Sequence, residues 1–160
     1  MVLGMSLQAF TLLHVVITLI ELLAGFLVAV ALTGGRLSGL SGLFLLTAAL
    51  TSVTGFMFPF HGVTPGIVVG VLSLVTIGLA VLALYSFKLA GGWRKTYAIT
   101  AVLTLYFDVF VTIAQSFEHV PSLHALSPTG GGPVFGATEG VLLIVFVAIG
   151  WRAVKGFSAA

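Results

Sequence analysis

Two carboxylic acids, Glu21 and Asp108, stand inside long apolar runs with no Lys or Arg at their depth. An ionisable group inside a membrane costs about 2.5 kcal/mol or more, so each acid must be protonated, solvated by water, or paired with a histidine or an ion. At about 100° per residue, His14 lies roughly 20° from Glu21 around a shared helix, with Thr18 and Gly25 near the same face. On a later helix Thr104, Asp108, Thr112 and Gln115 share a face, which His119 continues if the helix extends that far. Thr47, Thr51 and Thr54 repeat at helical spacing on a third. Two readings are open to these stripes. In one, the hydroxyls bond back to their own helix carbonyls and the acids are neutral, hydrogen-bonded struts between helices. In the other, Glu21, Asp108, Thr18, Thr104 and Gln115 line a polar pocket or proton path open to the non-cytoplasmic side.

The histidines form a second asymmetry. His14, His61, His119 and His124 all fall toward the non-cytoplasmic side, together with Glu118, Glu139, Met5 and Met57. Imidazole and thioether ligands suit copper, zinc or haem, and His14, His61 and His119 are the candidate ligands. The spacing is less favourable. His119 and His124 are separated by Pro121, no HExxH motif occurs, and the chain has no cysteine, so solvent-exposed loop histidines are favoured over a metal, and neither haem nor copper is the favoured cofactor. His14 differs because it lies inside an apolar run and needs a partner there, with His61, His119 and Glu139 the nearest expected.

These residues have to be positioned by membrane helices. The chain is 59% hydrophobic and 6% charged, where a soluble domain has about 25% charged residues. Apolar runs long enough to cross about 30 Å of hydrocarbon fall at roughly 8–33, 40–60, 65–89, 94–117 and 134–155. The pattern therefore predicts an all-α membrane protein, a single domain forming a five-transmembrane-helix bundle. Arg36, Lys88, Arg94, Lys95, Arg152 and Lys155 then all land on one side. Lys and Arg accumulate in cytoplasmic loops, which predicts a periplasmic N-terminus and a cytoplasmic C-terminus. Trp93, Trp151, Tyr85 and Tyr97 are expected as an interfacial belt at that side. Thr64-Pro65 is expected to open the third helix, Pro59, Pro121 and Pro133 to stop or start helices, and Gly130-Gly131-Gly132 to act as a tether. Gly66 with Gly70 and Gly136 with Gly140 are small-residue pairs at which helices can approach closely, or simply glycines of the kind common in membrane helices.

A formal charge of +2 comes from dispersed basic residues rather than a stripe, which argues against nucleic acid. No GxSxG, phosphate loop or GxGxxG motif occurs, and no enzymatic activity is expected. Residues 50–60 (LTSVTGFMFPF), the run GWRKTY at 92–97 and the stretch from Val120-Pro121 to Ser127-Pro128-Thr129 resemble a group of small, uncharacterised inner-membrane proteins of proteobacteria. The resemblance implies a bacterial inner membrane and transfers no site. The expected function is binding of a small amphipathic ligand, a quinone or a lipid, or service as an accessory subunit of a larger membrane complex. A homo-oligomer is also compatible. The alternatives are a haem or metal protein and a small proton-linked transporter using Glu21 and Asp108.

Overall fold

A computed structural model describes residues 1–59, 65–128 and 131–159. His61, the Thr64 cap and Gly130 of the glycine run lie outside the described residues. The described chain is helical: α1 Leu7–Thr33, α2 Ser41–Phe56, α3 Pro65–Val81, α4 Trp93–His119, the single turn α5 Pro121–His124, and α6 Pro133–Ala159. α3 runs on through a π turn, Leu82–Ser86. Four segments are long and apolar enough to cross a membrane, namely Leu7–Thr33, Gly66–Ser86, Trp93–His119 and Pro133–Ser158.

Local chemistry sets the helix ends. The Ser6 hydroxyl accepts from the Ala9 N–H at 3.2 Å and opens α1. The chain leaves α1 through Gly34 and Gly35, the latter at φ +73°. α4 stops at His119 because Val120 precedes Pro121 and is held extended. Of the expected second run, 40–60, the described residues are helical over Ser41–Phe56, 16 residues or about 24 Å. Pro59 accounts for the early stop: it disfavours α geometry at Phe58 and brings no N–H of its own.

The long helices run alternately up and down. His14 meets Thr54 while Gly25 meets Phe44, so α2 is antiparallel to α1. Glu21 meets Asp108 while Gly25 meets Leu105, so α4 is antiparallel to α1 as well. The ring contacts Phe117–Phe135, Tyr106–Phe146 and Tyr97–Phe157 step in opposite directions along α4 and α6. Phe56 lies against Gly70, and the Tyr85 hydroxyl against Gly42, which places α3 antiparallel to α2. All six basic residues therefore lie toward one end of the bundle, on the α1–α2 and α3–α4 connections, the first turn of α4 and the last turns of α6.

Close approach holds the bundle together, since lipid tails are as apolar as leucine and leave packing to drive association. The shared core is rich in small residues, Ala24, Ala29, Ala48, Ala98, Ala101 and Ala153 among them, with Phe44, Leu105 and Phe157 filling the gaps. At Gly25 an added Cβ would sit 2.7 Å from Leu105 and 2.8 Å from the Phe44 ring, so three helices converge where no side chain fits. Of the expected aromatic belt, Trp151 and Tyr85 are exposed and Trp93 stacks on Phe87 at 3.9 Å. Tyr97 is a correction: it is completely buried, packed against Phe157 in the core. Gly136 and Gly140 have open space where a Cβ would stand, whereas Gly70 receives the Phe56 ring.

Candidate functional site

Glu21 is completely buried midway along α1, and Asp108, 8% exposed, reaches it from α4. Thr51 of α2 stands beside Glu21 and completes a cluster drawn from three helices. Asp108 and Thr51 are each within reach of Glu21, while the rotamers align no bond on Glu21 Oε1 and Oε2, Asp108 Oδ2 or Thr51 Oγ1. A small rotation about the terminal torsion of a carboxyl group aligns its oxygens with a neighbour. Thr47 and Thr54, one turn to either side on α2, donate to carbonyls of their own helix. Thr51 forms no such bond, and its buried hydroxyl stands beside Glu21.

No Lys or Arg reaches this cluster, all six being toward the basic end of the bundle. Two ionised carboxylates in contact, in a medium of low dielectric, repel strongly, and desolvation penalises each charge separately. The chemically consistent arrangement holds a proton between the acids, one carboxyl O–H donating to an oxygen of the other, with the Thr51 hydroxyl as a further donor. Such a pair can hold a proton between side chains on separate helices.

Polar groups continue in both directions from it. Toward the end away from the basic residues, His14 Nδ1 lies 2.7 Å from Thr54 Oγ1, one turn of α2 beyond Thr51. The single Thr54 proton also has the Leu50 carbonyl at 2.7 Å. With the proton there, Thr54 accepts from His14 Nδ1–H, and the His14 Nε2 lone pair stays available. The imidazole packs edge-on against Phe58 at 5.3 Å. Toward the basic end, the buried Thr104 hydroxyl lies 2.8 Å from that of Thr76 on α3, one turn of α4 from Asp108, with buried Ser73 nearby in sequence on α3. The α3 contribution went unrecognised in the sequence. Its signal is the spacing of Ser73 and Thr76, three apart on one face of an otherwise apolar helix.

Not every expected residue joins the cluster. Thr18 donates to the His14 carbonyl at 3.0 Å, and Thr112 to the Asp108 carbonyl at 2.7 Å, so both satisfy their own helices. Gln115 is exposed on α4. α4 does extend to His119, whose Nδ1 faces the Gln115 carbonyl at 3.1 Å in an exposed position. Among the described residues no three His, Asp or Glu side chains come close enough to hold a metal ion. Of the candidate ligands His14, His61 and His119, the first is engaged with Thr54, the last with its own helix, and His61 lies outside the described residues. Glu139 is not the partner of His14; it packs on the α4 side of α6 near Tyr106, with both carboxyl oxygens covered and no aligned bond.

No family model, curated protein or solved structure matches this chain.

Proposed function

We propose that this protein is a small proton-linked membrane transporter whose protonatable centre is the Glu21–Asp108 pair. The observation that carries the reading is the meeting of two buried carboxyl groups from α1 and α4 with no basic residue between them. A proton on the pair permits α1 and α4 to pack closely. Its loss leaves repelling charge in the bundle interior, a state relieved by admitting water or a cationic substrate between the helices. Proton occupancy thus biases two packings of the same helices, which is the coupling a transporter needs. The His14–Thr54 contact, with its free imidazole nitrogen, is the access step on the side away from the basic residues.

The same reading has five crossings in a bacterial inner membrane, with α2 crossing as a short helix alongside α1, and the basic end cytoplasmic. Reporters test the orientation. One fused after Ala160 is expected to register as cytoplasmic and one inserted between residues 118 and 133 as periplasmic; the reverse pattern overturns it.

The function is tested in liposomes carrying a trapped pH-sensitive dye and an imposed potassium diffusion potential. Wild-type protein is expected to admit protons above the rate of empty liposomes. Glu21→Gln and Asp108→Asn are each expected to abolish that flux while changing stability in detergent by about 1 kcal/mol or less, because the amides preserve shape and hydrogen bonding. Wild-type flux no greater than that of empty liposomes, or undiminished flux in both variants, would sink the proposal.

A further inference from the structure

Away from the acid pair, an open groove of about 420 Å³ runs between α4 and α6 on the outer surface of the bundle. Its walls are Ile99, Leu103 and Tyr106 from α4 and Leu143, Val147 and Trp151 from α6. The floor is lowered at Gly150, where an added Cβ would sit 3.7 Å from Val102. From Ile99 to Tyr106 is seven residues, so the groove is roughly 11 Å long at 1.5 Å per residue.

Both walls end in a lysine. Lys95 stands one helical turn before Ile99 on α4, and Lys155 one turn after Trp151 on α6, with its ammonium 5.0 Å from the Trp151 ring. Both lysines are exposed. The neighbouring Arg94 is turned inward instead, over the Phe157 ring and toward the Phe157 carbonyl at 3.4 Å, and so is committed to closing the end of α6. The four acidic side chains, Glu21, Asp108, Glu118 and Glu139, are all elsewhere, so among the described residues no acidic side chain at this end pairs with the two ammonium groups.

An apolar trough open to lipid along its length and bounded at one end by two unneutralised cations matches one molecule in shape and charge. We propose that the α4–α6 groove is a binding site for an anionic phospholipid, with an acyl chain along Leu103 and Val147 and the phosphate between Lys95 and Lys155. Basic pockets between membrane helices recognise lipid headgroups in this way. The Trp151 indole suits the polar–apolar boundary between headgroup and chain. A second copy of this chain fits less well, because it would bring the same uncompensated lysines to the same end.

Native mass spectrometry of the purified full-length protein, given equal amounts of phosphatidylglycerol and phosphatidylethanolamine with identical acyl chains, tests the site. Wild type is expected to retain phosphatidylglycerol preferentially. Lys95→Gln with Lys155→Gln is expected to remove that preference, by roughly fivefold for each lysine, the factor equivalent to about 1 kcal/mol per basic residue at an anionic surface. Val147→Trp, which fills the trough from its exposed rim, is expected to lower retention of both lipids. Equal retention by wild type, or a preference that survives the double substitution, overturns the proposal. Preference lost with the lysines but full retention in Val147→Trp overturns the acyl-chain placement, and a dimer that excludes lipid from the groove overturns the choice of occupant. Glu21→Gln is expected to bind lipid as wild type does, which separates this site from the proton pair.

Discussion

α1 and α6 carry the same kinds of residue in different surroundings. Each is a 27-residue helix with a glutamate and glycines on its apolar length, Glu21 and Gly25 on one, Glu139, Gly136 and Gly140 on the other. Of the most apolar stretch, 33% is buried in α1 and 11% in α6. α1 is packed by α2, α4 and α6, so Glu21 finds Asp108 and Thr51, and Gly25 is the point where Phe44 and Leu105 close in. On the outer half of α6, Glu139 is buried near Tyr106 without a second acid opposite it, and Gly136 and Gly140 face open space. A membrane-depth acid or glycine acquires a role from what stands opposite it, not from its own type.

The largest expected difference between the two helices is at their glutamates. Glu21→Ala removes a fully enclosed side chain and strands Asp108, for an expected loss of about 2–5 kcal/mol in unfolding experiments in detergent. Glu139→Ala also removes a buried side chain but strands no second acid, and is expected to cost less than Glu21→Ala, about 1–2 kcal/mol. Equal losses would mean that α6 is as enclosed as α1 and would break the comparison.

A smaller contrast sharpens it at the glycines. A Cβ at Gly156, near the α6 end that packs on α1, would lie 2.8 Å from the Thr33 carbonyl oxygen and 3.2 Å from that of Leu32. Backbone atoms cannot swing aside, so Gly156→Ala is expected to destabilise by about 1–3 kcal/mol. Gly140→Ala meets no atom within 4 Å and is expected to be neutral or to stabilise by up to about 1 kcal/mol through the better helix propensity of alanine. Melting temperatures of the two variants read the contrast directly, and a Gly140→Ala protein as damaged as Gly156→Ala would point to a partner helix on the open face.

Helical periodicity was enough to place His14 and Glu21 on one face and Thr104 and Asp108 on another, because angles within a helix follow from 3.6 residues per turn. It could not tell that Thr51 stands beside Glu21 while Thr54, one turn away, meets His14. Nor could it show that Gln115, on the face of Asp108, is exposed, since which neighbouring helix reaches that level is not written in the spacing. Position near a helix end points Tyr97 to the membrane interface, yet its rotation about α4 puts it in the core.

Lipid is the physical reason for that division. Apolar runs in hydrocarbon must satisfy every backbone N–H and C=O within the segment, so the sequence by itself determined helices, their order and their approximate ends. The spacing of the basic residues, in two connections and at the ends of α4 and α6, agrees with the ends that the structure brings together. The rotation of each helix about its axis was left to the tertiary structure, because in a membrane an apolar side chain is equally well placed against lipid or against another helix, and no polar face marks the outside. The meeting of Glu21 with Asp108, and the lipid-facing groove ending at Lys95 and Lys155, depend on those rotations and on the close approach of helices at small residues.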